Sequence, residues 1–415
     1  MINLAVVCLY GIFHLSYCNL IDGGNNQNSY KAEPNLYCYD NSSKYYSVGG
    51  ISWSNNHYYT KGRSCPFTLC LDNGIHFISL NFGISLRNSG EIHIPFSCSN
   101  GKDSSNKIEK INYKYIDKSD LSAININFLI ASEQAHYCQI DVKFMNLYSD
   151  NLCKMTSISS FSYQSPVYGL IQMKHSESAE KMTFTVLKSS TIGVWDSNIR
   201  IVEDGIYLLT VSAFSQWYTK FLLTVNSSNG DVYTLRNNYR DSPSNLISMS
   251  YLLKCKIKET LSFNLLEGQL QQTSSLSILK LSVSKTRPGL YVSSSSHKSN
   301  VQQEKEISFD VTHISIGNSW NNNTFTYTID IPGRYYVYVT IESREGSKVD
   351  VAVQKNGKTI FEILKYSAKT HDGHVLANSA IVKFSQGDSL RIISNAMSSY
   401  GALNKSTTLL VIFLS

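Results

Sequence analysis

Two stretches of this chain repeat one another phrase by phrase, and that repetition limits the folds open to it. FTVLKSSTIGVW (184–195) and FDVTHISIGNSW (309–320) share Phe, Val, Ser and Trp at a constant offset. EDGIYLLTVSA (203–213) then parallels IPGRYYVYVTI (331–341), and LLTVNSSNGDVYTL (222–235) parallels DVAVQKNGKTIFEI (350–363). SYLLKCKIKETLSFNLL (250–266) parallels SAIVKFSQGDSLRIIS (379–394), and SLSILKLSV (275–283) parallels the final TTLLVIFLS. Phrases kept in order mark a duplicated unit. The units run over about 167–285 and 289–415, with RPG (287–289) at the joint. Each consists of short alternating runs parted by turn residues, the spacing of a β-sandwich, and nothing beyond a turn reads as helix.

The stretch NTFTYTIDIPGRYYVYVTIE (323–342) is the most informative part of the second unit. Phe325, Tyr327, Ile329 and Ile331 alternate with polar residues, and Tyr335, Val337, Val339 and Ile341 continue the parity beyond Pro332-Gly333. Strict alternation with Pro-Gly between the runs predicts two strands of one antiparallel sheet sharing a buried face. Tyr336 and Tyr338 then fall on the face that should be wet, as do Ile206 and Leu208 in the first unit. Apolar residues on an outward face imply a contact surface, so Tyr336, Tyr338, Ile206 and Leu208 are the candidate oligomer contacts. The alternative is a cover supplied by an adjacent loop.

The N-terminal part differs in its cysteines. Of nine, Cys38, Cys65, Cys70, Cys98, Cys138 and Cys153 fall together, and the 260 residues beyond them hold only Cys255. Six cysteines in one segment of a secreted chain imply a local disulfide framework with fifteen possible connectivities. No C-x2-C pair occurs and the histidines do not cluster with the cysteines, which argues against zinc. Cys255 is either a buried thiol or half of an interchain bridge. Residues 35–155, with runs such as HFISLNFGISL (76–86) and AININFLI (123–130), are therefore expected to form a disulfide-stapled β-domain.

An apolar run from Leu4 to Phe13, with small residues before Asn19, reads as a signal peptide over 1–18. Its n-region has no Lys or Arg. The other reading is a buried strand. No further stretch is a membrane-span candidate, so the expected product is secreted and does not span a membrane. N-x-S/T sequons at Asn41, Asn226, Asn322 and Asn404 are candidate glycosylation sites. A charged fraction of 16%, with 27 tyrosines, suits an all-β extracellular protein. The net charge of +6 is spread among acids without a basic run, which argues against nucleic acid as a partner.

The second unit resembles the globular head of the complement C1q and tumour-necrosis-factor superfamily. The resemblance rests on Phe309, Ser315, Trp320, Tyr327, Gly333, Tyr335, Val337 and Val339 at the family's spacing, and on the downstream phrases VAVQKNGKTIF, SAIVKFSQGDSLRI and YGALNKSTTLLVIFL. Ser315 stands where the family has Asn or Asp, and valines replace the last two aromatics. The first unit keeps Phe184, Ser190, Trp195, Gly205 and Tyr207 but is shorter after Trp195. The N-terminal segment is similar to a CUB domain in its glycine-led opening and the strands that follow, although six cysteines exceed that family's usual four. The resemblance implies two tandem jelly rolls after the stapled β-domain, and trimers joined through aromatic-lined faces.

No catalytic motif occurs: there is no G-x-S-x-G, H-E-x-x-H, Walker loop or dinucleotide fingerprint. His371, Asp372 and His374 read as an exposed hairpin loop, and Gly387-Asp388 as a turn. No cofactor or metal is expected, and no enzyme. The resemblance implies a secreted, multivalent, homo-oligomeric protein that recognises an extracellular protein or glycan. The alternatives are a trimeric signalling ligand of the tumour-necrosis-factor or cerebellin kind, and a matrix or adhesion cross-linker.

Overall fold

Alternating runs broken by Gly, Asn, Asp and Pro leave the chain strands and turns, and no helix occurs among the described residues. The structure is a computed structural model. It describes the strands between Asn35 and Tyr163 and, from Val167 onward, all but residues 175–182, 190–192, 196–197, 215–220, 229, 231, 238–245, 268–273, 344–347, 366–373 and 402–405. Pro34–Ser415 form one compact unit.

The strands fall into three successive sets. Module one holds β1 (Asn35–Tyr37), β2 (Tyr45–Val48), β3 (Ser64–Leu71), β4 (Gly74–Ile84), β5 (Gly90–His93), β6 (Phe96–Ser99), β7 (Lys114–Asp117), β8 (Ser122–Ser132), β9 (His136–Met145) and β10 (Thr156–Tyr163). Module two holds β11 (Tyr168–Lys174), β12 (Thr183–Ser189), β13 (Gly193–Trp195), β14 (Asn198–Arg200), β15 (Gly205–Phe214), β16 (Phe221–Ser227), β17 (Val232–Asn237), β18 (Leu246–Cys255), β19 (Thr260–Glu267) and β20 (Ser275–Leu281). Module three holds β21 (Gly289–Ser293), β22 (Lys298–Val301), β23 (Val311–Ile316), β24 (Ser319–Asn321), β25 (Thr326–Thr328), β26 (Gly333–Ser343), β27 (Val349–Lys355), β28 (Lys358–Lys365), β29 (His374–Phe384), β30 (Ser389–Ser394), β31 (Ser398–Gly401) and β32 (Thr408–Phe413).

One strand path recurs. Module two has sheets β12-β11-β20-β15-β18 and β13-β14-β19-β16-β17. With the short strands β22 and β31 set aside, module three follows the same order, β23-β21-β32-β26-β29 and β24-β25-β30-β27-β28. The segment expected to be a separate stapled domain also follows it, as β2-β10-β4-β8 and β3-β9-β5-β7, with β1 added parallel to β3. It extends past the expected end at 155, because β10 lies between β2 and β4. A single register pair, Ser122 with Lys365, joins β8 of module one to β28 of module three.

The reading of 323–342 needs one correction. β25 pairs with β24 and β30, whereas β26 pairs with β29 and β32, so the two runs lie in opposite sheets rather than in one. The parity survives because both inner faces of a sandwich point at the same core. Tyr327 and Ile329 from one side meet Tyr335, Val337, Val339 and Ile341 from the other, all fully buried in one cluster. The crossing at Gly333 leaves no room for a side chain, since a Cβ there would collide with the Ser415 carbonyl and the Phe413 ring. The NG turn between β27 and β28 has positive φ at both Asn356 (50°) and Gly357 (78°), as a tight hairpin requires.

Cys65 and Cys70 lie in β3, Cys98 in β6 and Cys138 in β9, while Cys38 and Cys153 fall outside the described residues. Cys98 and Cys138 are direct partners in the β6–β9 register. Opposed residues of an antiparallel pair have Cα atoms ~4.5–5.5 Å apart, within the span of a disulfide. We therefore expect a non-reducing peptide map to give a Cys98–Cys138 cross-linked peptide. Its absence, with both cysteines found in other bridges, would show that this register does not guide oxidation.

Candidate functional site

The four candidate contact residues are covered by their own chain. Tyr336 and Tyr338 are fully buried, Leu208 is 1% exposed and Ile206 8%. Within this chain all four belong to one buried cluster with residues of the other modules. The Tyr336 ring stands edge-on to Phe77 of β4 (5.2 Å) and lies stacked with Tyr338 (6.3 Å). The Tyr338 hydroxyl donates to the Ser248 carbonyl on β18 at 3.0 Å, so one side chain of module three closes against module two while its neighbour closes against module one.

The covered face is built from one strand pair of each module: β4 with β8, β15 with β18, and β26 with β29. Their registers set up three layers. The first is apolar, from the opposed pairs Phe77 and Leu129, Leu208 and Leu252, and Tyr336 and Ile381. The second contains Ser79 and Asn127, Thr210 and Ser250, and Tyr338 and Ser379. The third contains Asn81 and Asn125, Ser212 and Ser248, and Thr340 and Ala377.

Polar groups buried this deeply must bond to one another. Ser79 and Ser379 hydroxyls lie 2.8 Å apart, and Asn81 both donates to the Ser379 carbonyl and accepts its amide, each at 3.2 Å. Asn125 donates to Ser79 (2.7 Å) and to the Asn81 Oδ1 (2.6 Å). Toward module two, the Asn127 side chain donates to Ser250 (3.1 Å) and Ser212 donates to the Asn127 carbonyl (3.0 Å). Thr210 with Ser250 and Ser212 with Ser248 extend the network at 3.1 Å each, while the Asn125 and Asn127 Oδ1 atoms have no partner in it. These hydroxyl and amide residues escaped sequence reasoning, because polar side chains at an outward parity read as solvated. One signal pointed to them. DNGIHFISLNF (72–82) shares a Gly-Ile and the same alternation with EDGIYLLTVSA (203–213), with His76 where the later modules carry Tyr207 and Tyr335.

Those two tyrosines anchor the turn entering each central strand: Tyr207 donates to the Glu203 carbonyl at 2.7 Å and Tyr335 to that of Ile331. Burial, with the charges of Cys255 and Glu203 in support, pushes the Tyr207 phenol up to about 12. Burial likewise raises Tyr336, and raises Tyr338 well above the ordinary phenol value.

The remaining candidates lie elsewhere. Asn322 is exposed in a turn and accepts from Thr312, while Asn226 is half-buried in β16. Asn41, Asn404, His371 and Asp372 fall outside the described residues, and His374 opens β29. Cys255 is a buried thiol, 3% exposed. Asp388 caps its turn, pairing with Lys355 (2.8 Å) and accepting the Ser385 amide (2.6 Å). The Lys355 bond holds its carboxyl down at about 2. Among the described residues no three His, Cys, Asp or Glu side chains gather as a metal site.

Comparison with known proteins fits module three. Residues 290–411 match the family model of the C1q domain. This stretch is a C1q domain. Among curated proteins none matches the chain. Similar solved structures include the globular domain of zebrafish complement 1qA, at 14% identity over 31% of this chain and 98% of that one (TM-score 0.27). Others are murine APRIL, at 14% over 28% and 99% (0.23), and rabbit GITRL, at 12% over 27% and 93% (0.21).

Tyr338→Phe removes the bond to Ser248 and leaves a buried carbonyl unsatisfied, which should cost about 1–3 kcal/mol in a denaturant melt. Because the folded chain keeps Tyr336 and Tyr338 protonated where the unfolded chain ionises, their contribution is whole below about pH 10 and is lost as pH rises further. Phenolate absorbance should therefore show a late group of tyrosines ionising together with unfolding. A single unperturbed transition would contradict the burial.

Proposed function

We propose that this chain is an extracellular binding protein that recognises a protein or glycan ligand through C1q-like heads. The C1q domain at 290–411 carries the reading, because domains of this family serve as non-enzymatic binding modules. The aromatic strand face of that domain is occupied inside the chain, so recognition falls to the outward sheet and the connecting loops. The signal segment at 1–18 and the sequons at Asn41, Asn226, Asn322 and Asn404 belong to the same reading of a secreted glycoprotein. No helix among the described residues is long and apolar enough to cross a membrane.

Expression in a secreting animal cell tests the first half. The medium should contain a protein beginning at Asn19, with an N-glycosidase-sensitive mass shift that maps to the exposed Asn322. Retention in the cell without processing would overturn the extracellular assignment. The purified protein should then bind saturably on arrays of glycans and cell-surface proteins. Competition by free sugar would mark glycan recognition. Saturable binding to one membrane protein would mark a signalling ligand of the tumour-necrosis-factor kind.

A further inference from the structure

The three modules contact one another in a fixed sense. β8 of module one lies against β15 and β20 of module two, and β18 of module two lies against β32 of module three. β29 of module three returns to β2, β4 and β10 of module one. The last strand in each of these sheet orders thus packs on other strands of the neighbouring module's corresponding sheet, and β8, β18 and β29 also meet one another. The Tyr251 ring of β18 stands edge-on to Tyr291 of β21 at 6.4 Å, in the same sense. Head-to-tail contacts of this kind generate a ring when the rotation closes, and here it closes after three steps.

We propose that the chain is a complete three-headed ring in itself: three unlike copies of one sandwich occupy three places around an axis, and the partner of each aromatic or polar strand face is the next module of the same chain. The inference deepens the function proposed above and rests on that reading for its biological use.

The layers explain why the ring takes unlike copies. In the second layer Tyr338 of module three is matched by Thr210 of module two and Ser79 of module one. In the third, the amides Asn81 and Asn125 come only from module one, and the small hydroxyls Ser212 and Ser248 only from module two. A ring of three copies of module three would bring three Tyr338 rings into one layer, whereas three copies of module two would leave it underfilled. Interiors tolerate neither overpacking nor voids, so the fit favours one of each. The buried Asn127 amide bonding to Ser250 fixes which neighbour follows module one, because leaving either group unpaired is costly. The joints are short, so each module is held close to the next.

Two measurements on the full chain decide the matter. Light scattering should return the mass of one chain, with or without reductant. A mass of two or three chains would overturn the proposal, since the faces would then be pairing between molecules. In the second, a specific protease sequence is inserted in the exposed turn at Lys285–Thr286 between β20 and β21 and then cut. The two fragments should co-elute at one-chain mass on native gel filtration and part only in denaturant. Their separation under native conditions would also overturn the proposal, because it would show modules joined by linkers alone. Neither readout needs a ligand, so a blank binding array with both results as expected would sink the proposed function and leave the ring standing.

Discussion

Everything in this molecule depends on covering the second face of its central strands. β26 places Tyr335, Val337 and Val339 in one core and Tyr336 and Tyr338 in another, so it is buried on both sides. An isolated sandwich would leave those tyrosines in water. Each such side chain contributes ~1.5–3 kcal/mol when buried, and the equivalent strands of the other modules face the same demand. Three sheets meeting around a common interior satisfy it together, which is why residues 34–415 hold as one unit rather than as beads on a string.

The interior is not simply an oily contact. One layer is apolar, and the two beyond it carry hydroxyl and amide groups that bond across module boundaries. The apolar layer holds the modules together without direction. The Asn81 and Asn127 amides add direction, because Asn81 bonds to Ser379 of module three and Asn127 to Ser250 of module two. The raised phenols belong to this dry region and report on it: as long as the sheets stay closed, Tyr338 keeps its proton and its bond to Ser248.

Much of this was legible in the sequence. The alternation around Tyr335 gave the sandwich core, and the off-parity tyrosines announced that something covers them. Alternation is a local property, however. It says that a face is buried without saying which sheet a strand joins or whose atoms do the covering. The two runs around Pro332-Gly333 therefore read as one sheet, and the off-parity tyrosines read as a surface for another chain or for a loop. Ser79, Thr210 and Ser212 were lost for a related reason, since a hydroxyl at an outward position looks the same whether it bonds to water or to a buried serine. The strand order of module one is hidden behind its cysteines, and His76 stands where the later modules have a tyrosine.

The unlike layers also change what a mutation does. When identical chains assemble around an axis, one altered codon alters the contact three times, and a side chain must suit its own image. In this chain Tyr338 has no image: Thr210 and Ser79 stand in its layer and are encoded separately. A change at any one of them alters a single sector of the axis, and its neighbours can adjust independently. The outer surfaces gain the same independence, so a loop of one module can diverge without being copied onto the other two.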